Sequence, residues 1–303
     1  MAHDEFADLG DSWELALRAD GYSDNTITSY RRALRSLAAW LPPDTTPDQI
    51  TRDHIRGWIV ATRNATSSGT ARSWFAGVRH FCRFLLAEGE AATDPTDGIR
   101  TPPPNAPVTP VLDEDALRAL LATATATTFQ DRRDAAILYL LIDGGLRLAE
   151  ITALRVDDVD VRSRTVTITA GKGSGRSGAR RRVIAVGVKA ARALDRYLRE
   201  RRRHPYAELP ALWLGGRGRA TLTDSGIKAM VQRRAAQAGI GHVHPHMFRH
   251  SWAAAFQAAG GSDGDLMTLG GWRSRTMLDR YGAATAADRA RRAASRLSLG
   301  DRL

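Results

Sequence analysis

The 303-residue chain carries 44 Lys+Arg against 33 Asp+Glu, a formal net charge of +11, with 43% hydrophobic and 25% charged residues. This composition supports a buried core and excludes disorder as the dominant state. A single cysteine, Cys82, excludes a disulfide framework and a four-cysteine zinc site. The longest uncharged apolar run, residues 135–142, is too short to span a bilayer, and the acidic start of the chain lacks the apolar core of a secretory signal. No membrane association and a cytoplasmic location are expected, and the positive surplus points to a polyanion, most simply nucleic acid.

The surplus is uneven. The first 107 residues hold 11 Arg and no Lys against 14 acidic residues, a balance of −3; the rest holds 33 basic against 19 acidic residues, a balance of +14. In the first part, Ser23 or Asp24 caps a helix whose Ile27, Tyr30, Leu34, Leu37 and Leu41 share one face. A second helix is expected over residues 53–62 and a third over 70–87. Trp74, Phe75, Val78, Phe81, Phe84 and Leu85 give the third its apolar stripe, and Gly89 ends it. That stripe reads as helical core rather than as a base-stacking platform.

Residues 94–110 hold six of the twelve prolines and read as an extended connector between a helical N-terminal domain, 1–93, and a second domain, 111–303. The second domain opens with helices after Asp113-Glu-Asp115 and over 131–142, the latter ending at Gly144-Gly145. Strands are expected over 164–170, with Val166 and Ile168 inward, and over 182–188, with Val183 and Ile184 repeating the pattern; residues 171–178 form the glycine-rich tip between them. Helices interrupted near Pro205, Gly215-Gly216, 239–241 and Gly260-Gly261 follow to the end. The fold class is mainly α with a small antiparallel β-sheet.

Four polar constellations sit at these breaks. In the first, Gly144-Gly-Leu-Arg-Leu-Ala-Glu150, Arg147 opens a helix and Glu150, one turn on, either holds the guanidinium or forms an ordinary solvated pair with it. The second is Lys172 in Gly171-Lys-Gly173. The chain has only three lysines, so Lys172 is either a cation that can release a proton, as arginine cannot, or a surface lysine touching phosphate. The third, His242-Val-His-Pro-His-Met-Phe-Arg-His250, reads as a His246–Arg249 pair at a helix start set by Pro245, rather than as a metal site, because no cysteine lies nearby and carboxylates are remote. The fourth runs from Leu269-Gly-Gly-Trp272 to Tyr281, a tyrosine among arginines that is either a packed amphipathic residue or a nucleophile.

The order Gly-Leu-Arg-x-x-Glu, Gly-Lys-Gly, His-x-x-Arg-His, then Gly-Trp with a tyrosine nine residues on resembles the tyrosine recombinase (phage integrase) family over nearly the whole chain. The resemblance implies the DNA breaking–rejoining enzyme fold, with a core-binding N-terminal domain and a catalytic domain. It implies Arg147 and Arg249 as clamping arginines supported by Glu150, Lys172 as general acid, His246 as second proton-transfer residue and Tyr281 as nucleophile. Trp272 stands where most members have histidine and some have tryptophan. An indole donates a hydrogen bond but moves no proton, so proton transfer falls on Lys172 and His246.

The implied reaction needs no metal and no other cofactor: double-stranded DNA is cleaved and rejoined through a 3′-phosphotyrosine by a homotetramer on two recombination sites, with the tail after Ala283 docking on a neighbouring subunit. The implied further partner is an accessory directionality protein. The resemblance places the start of the core-binding helices almost at once, so no arm-site domain is expected. The ending around Trp272–Tyr281 favours the integrase of a mobile element, and the alternative within the family is a chromosome- or plasmid-dimer resolvase. A non-catalytic DNA-binding regulator and a type IB topoisomerase-like enzyme are the readings from other classes.

Overall fold

A computed structural model of the chain describes residues 2–103, 110–169, 181–216, 220–272 and 291. The chain divides into two compact units, one built on the first four helices and the other on everything after them.

In the first unit α1 (Ala2–Ala19) precedes the three expected helices, α2 (Asp24–Trp40), α3 (Arg52–Ala65) and α4 (Ser68–Glu88). Each expected start has a side-chain cap: Ser23, Thr51 and Ser67 accept from the backbone N–H three residues on. Gly89 closes α4 in the left-handed conformation. The aromatic stripe is core: Phe75, Phe81 and Leu85 are buried beside Trp13 and Leu17 of α1, Leu34 and Leu37 of α2, and Trp58 of α3. Gly77 lets α4 approach α2 closely, since a Cβ there would lie 2.8 Å from the Tyr30 ring. Cys82 is buried, which pushes its thiol up to about 12 and leaves it unreactive. The connector is not extended from its start. Asp94 accepts from the N–H and hydroxyl of Thr96 in a turn, and Arg79 and Arg72 of α4 hold the carbonyls of Ile99 and Pro102.

In the second unit α5 (Glu114–Ala122), α6 (Phe129–Gly144) and the short α7 (Leu148–Thr152) lead into an antiparallel sheet of order β1 (Val159–Asp160), β2 (Thr165–Thr169), β3 (Arg181–Ala185). Helices α8 (Val188–Arg201), α9 (Asp224–Gln237), α10 (Pro245–Ala258) and α11 (Asp263–Gly270) follow. The apolar run in the middle of α6 is almost wholly buried, which is what a helix surrounded by others requires. Val166 and Ile168 of β2 face the core as expected, but Val183 does not; it is 55% exposed while Ile184 is 2% exposed. Strand alternation puts Arg182 on the inward face with Ile184, where it is only 13% exposed. The expected hairpin tip, residues 171–178, and the tail after Ala283, apart from Arg291, lie outside the described residues.

Two arginines of the basic second unit are internal. Arg201 is buried and donates to the carbonyls of Ala207, Leu209, Ala211 and Leu212, fixing the chain after α8, and Arg182 of β3 pairs with Glu150. A second polar knot ties α6 to α9: the fully buried Asp134 accepts from Arg133, Arg233 and Arg234. Removing Asp134 leaves the Arg133 guanidinium, 5% exposed, with the Leu214 carbonyl but no carboxylate, and leaves the equally buried Arg234 with Asp131 as its one carboxylate. Asp134→Ala should therefore lower the unfolding free energy of this unit by about 3–5 kcal/mol in urea titration, and a loss below about 1 kcal/mol would contradict the knot's structural role.

Candidate active site

Arg147 is the N-cap residue of α7, reached through Gly145 in the left-handed conformation. Glycine is required there twice over, by its φ of +53° and because a Cβ would lie 2.2 Å from the Trp252 ring. The Glu150 carboxylate caps the same turn, accepting from the Arg147 backbone N–H at 2.9 Å and from the Arg147 guanidinium at 2.8 Å. Arg147 and Glu150 are thus not an ordinary solvated pair, because Glu150 is only 6% exposed. Its second partner went unrecognised in the sequence: Arg182 of β3 donates to both carboxylate oxygens, at 2.9 and 2.8 Å.

The C-terminal end of α11 brings these groups to the rest of the site. Three successive carbonyls there each accept from an arginine. Leu269 takes Arg182 Nε at 2.8 Å, Gly270 takes Arg249 at 2.7 Å, and Gly271 takes Arg147 at 3.0 Å. Cations at a helix C-terminus meet the negative end of its dipole as well as its unpaired carbonyls. Arg249 is buried on α10, donates also to the Gly145 carbonyl at 2.7 Å, and lies 3.9 Å from the centre of the Trp272 ring. Trp272 in turn stacks on Trp252, and its approach requires Gly270, where a Cβ would fall 2.0 Å from the indole.

Pro245 at the first turn of α10 sets a helix start from which His246 is exposed while Arg249 points inward. Partial desolvation, then the charge of Arg249 and the nearby His244 and Arg147, lower the His246 imidazole below its ordinary range and favour its neutral form. His250 packs edge-on against His246 with ring centres 4.6 Å apart; burial, followed by His246, His244 and Arg249, pulls it down to about 4.

Arg147, His246, Arg249 and Trp272 line a single cleft of about 690 Å³. Lys228 and Gln232 of α9 and His242 and His244 line it too, and of these only the histidines stood out in the sequence. Among the described residues no three His, Cys, Asp or Glu are grouped to hold a metal, and no helix is long and apolar enough to cross a membrane. Lys172 and Tyr281 lie outside the described residues. The cleft therefore gathers two arginines, a neutral imidazole and an indole, an arrangement suited to an anionic substrate that loses or gains a proton.

Burial alone raises the Glu150 carboxyl, but the hydrogen bonds and charge of Arg182, followed by those of Arg147, outweigh it and hold the group down at about 2. A depressed carboxyl stabilises the fold above the ordinary carboxylate range, and that contribution is lost as pH falls towards the folded value. The difference in unfolding free energy between wild type and Glu150→Gln should be constant above about pH 5 and shrink steadily below about pH 4. A difference independent of pH would contradict a buried, doubly paired carboxylate.

The Phage integrase family model matches residues 110–288, and that of the phage integrase N-terminal SAM-like domain matches residues 11–89. The chain is 33% identical over 245 residues to tyrosine recombinase XerC of Corynebacterium efficiens, covering 80% of this chain and 75% of that one. It is 30% identical over 241 residues to tyrosine recombinase XerD of Listeria innocua, covering 77% and 79%. Its fold is similar to that of the Tn1549 transposon integrase in complex with transposon right end DNA, with a TM-score of 0.75 at 19% identity, covering 95% and 99%. It is also similar to lambda integrase as a tetramer bound to a Holliday junction, at a TM-score of 0.68 and 15% identity, covering 88% and 77%. With both of its units matched and relatives at 30% identity or more spanning most of its length, the chain belongs to the tyrosine recombinase, or phage integrase, family.

Proposed function

We propose that this recombinase cleaves and rejoins duplex DNA at specific sites through a 3′-phosphotyrosine. The observation that carries the reading is the convergence of Arg147, His246, Arg249 and Trp272 on one cleft. In this reading the Tyr281 hydroxyl attacks the scissile phosphorus. A bond to the phenolic oxygen forms, the bond to the 5′ oxygen breaks, and the phenolic proton passes to the neutral His246. Arg147 and Arg249 offset the charge growing on the non-bridging oxygens, and their bonds to Glu150 and to the carbonyls of Gly145, Gly270 and Gly271 hold them in place beforehand. Lys172 protonates the leaving 5′ oxygen. Trp272 cannot titrate, and its face orients Arg249.

The phosphotyrosine conserves the energy of the broken bond, so attack by a 5′-hydroxyl from another strand reverses the step and exchanges strands without a nucleotide cofactor. Exchange between two sites calls for a homotetramer on two DNA sites, a reading supported by the tetrameric lambda integrase of similar fold. The +14 balance of the second part supports duplex DNA as the partner.

The setting has two readings. Similarity at 30% identity or more to the recombinases XerC and XerD favours resolution of chromosome or plasmid dimers. The Trp272–Tyr281 ending favours a mobile element, and the transposon and phage integrases match in fold alone. Sequencing the junctions made in a recombination assay separates the two: resolution leaves two copies of one site on separate circles, and integration joins two different sites.

On a nicked suicide substrate, wild type should trap a covalent protein–DNA adduct and Tyr281→Phe none; an adduct that persists in Tyr281→Phe removes the nucleophile assignment. Lys172→Ala should lose cleavage on ordinary DNA and regain it on a 5′-bridging phosphorothiolate, whose leaving group needs no proton. No recovery on that substrate would take Lys172 out of the acid role.

A further inference from the structure

We infer that Arg182, on β3, is a positioning residue for strand cleavage: it keeps the Arg147 guanidinium turned to the cleft and ties it to the chain that leads to Trp272 and Tyr281. The inference rests on the strand-cleavage reading above and adds to it a residue that touches no reacting atom.

A carboxylate one helical turn from an arginine ordinarily takes the guanidinium in a two-pronged pair. Had Glu150 done so with Arg147, the clamp would be neutralised and its donor edge consumed. Arg182 prevents this by donating to both Glu150 oxygens, leaving Arg147 one side-chain bond to Oε1. Arg147 keeps 40% of its side chain exposed, whereas Arg182 keeps 13%. Two guanidiniums on one carboxylate also leave a net positive charge at the edge of the cleft, which a lone pair would not.

The third bond of Arg182 gives the arrangement its reach. Arg182 Nε donates to the carbonyl of Leu269, next to the Gly270 and Gly271 carbonyls held by Arg249 and Arg147. Arg182 also pairs across the sheet with Ile168, so it sits at the base of the connection that carries Lys172 in the sequence. One side chain thus joins the turn bearing the first clamp, the end of α11, and the strands flanking the general acid. Lysine cannot replace it, since a single ammonium does not span a carboxylate and a carbonyl in one plane.

The test uses the full chain on a nicked suicide substrate built from DNA that the protein selects, with binding followed by gel shift and cleavage by the rate of adduct formation. Arg182→Gln and Arg182→Lys should each bind DNA as wild type does and form the adduct about 100-fold more slowly, the scale of a misplaced catalytic group. In a Glu150→Gln background, where Arg182 has lost the carboxylate it holds, Arg182→Gln should cost less than about threefold more. A fall smaller than about tenfold in the single variants, a matching loss of DNA affinity, or an equal cost in both backgrounds would overturn the inference. Should Arg182→Gln melt below the assay temperature, Arg182→Lys carries the same comparison. Absence of any adduct with wild type would instead defeat the strand-cleavage reading itself, so the two failures are distinguishable.

Discussion

A buried carboxylate shared by two arginines is the constraint on which this site depends. Glu150 pairs with Arg147 one turn before it and with Arg182 from β3, and the two together hold it ionised although burial works against the charge. Such a centre is costly to leave half-made, since an unpaired buried charge loses several kcal/mol, on the order of 3–5. The same bonds fix where the guanidiniums can go. They terminate on three successive carbonyls at the end of α11, so Arg147, Arg249 and the approach to Trp272 form one bonded unit. Preorganisation of this kind is what binding and stabilising an anionic substrate asks of charged side chains.

The arginine content of the second unit serves two ends. Part of it faces solvent and gives the unit its positive balance. Another part is internal: Arg201 satisfies four carbonyls in the turn after α8, and Arg133 and Arg234 enclose Asp134 between α6 and α9. Arginine suits both places because its planar fork meets carbonyls and carboxylates as readily as phosphates. Net charge alone therefore overstates the number of groups available to a polyanion. The Asp134 knot also anchors α9, whose Lys228 and Gln232 line the same cleft as Arg147 and His246.

Much of this was legible in the sequence, and the exceptions have physical reasons. The capped helices of the first unit announce themselves through Ser23 and the Phe75–Phe81–Leu85 stripe, because local caps and 3.6-residue periodicity are short-range signals. Helix α1 was missed although Trp13 and Leu17 are buried, since its acidic, mixed start offers a weak stripe. Arg147, Glu150, His246 and Arg249 were legible as spacings within single turns. Arg182 was not, because its partner Glu150 is 32 residues away and its face depends on strand register. Taking Val183 as inward set that face wrongly; with Ile184 and Val186 inward, alternation places Arg182 inside, where a charge needs a partner. Pairings across long sequence separations, as between Asp134 and Arg234, are decided by packing and leave no local trace.

The central claim, that this cleft serves a tyrosine which becomes covalently joined to DNA, is tested most directly by locating the bond. The wild-type adduct formed on a suicide substrate would be digested with nuclease and protease and the nucleotide-bearing peptide sequenced by mass spectrometry. The account predicts a phosphodiester residue on Tyr281, carried by the 3′ end of the cleaved strand. A nucleotide on any other residue, or attachment through the 5′ end, would contradict it.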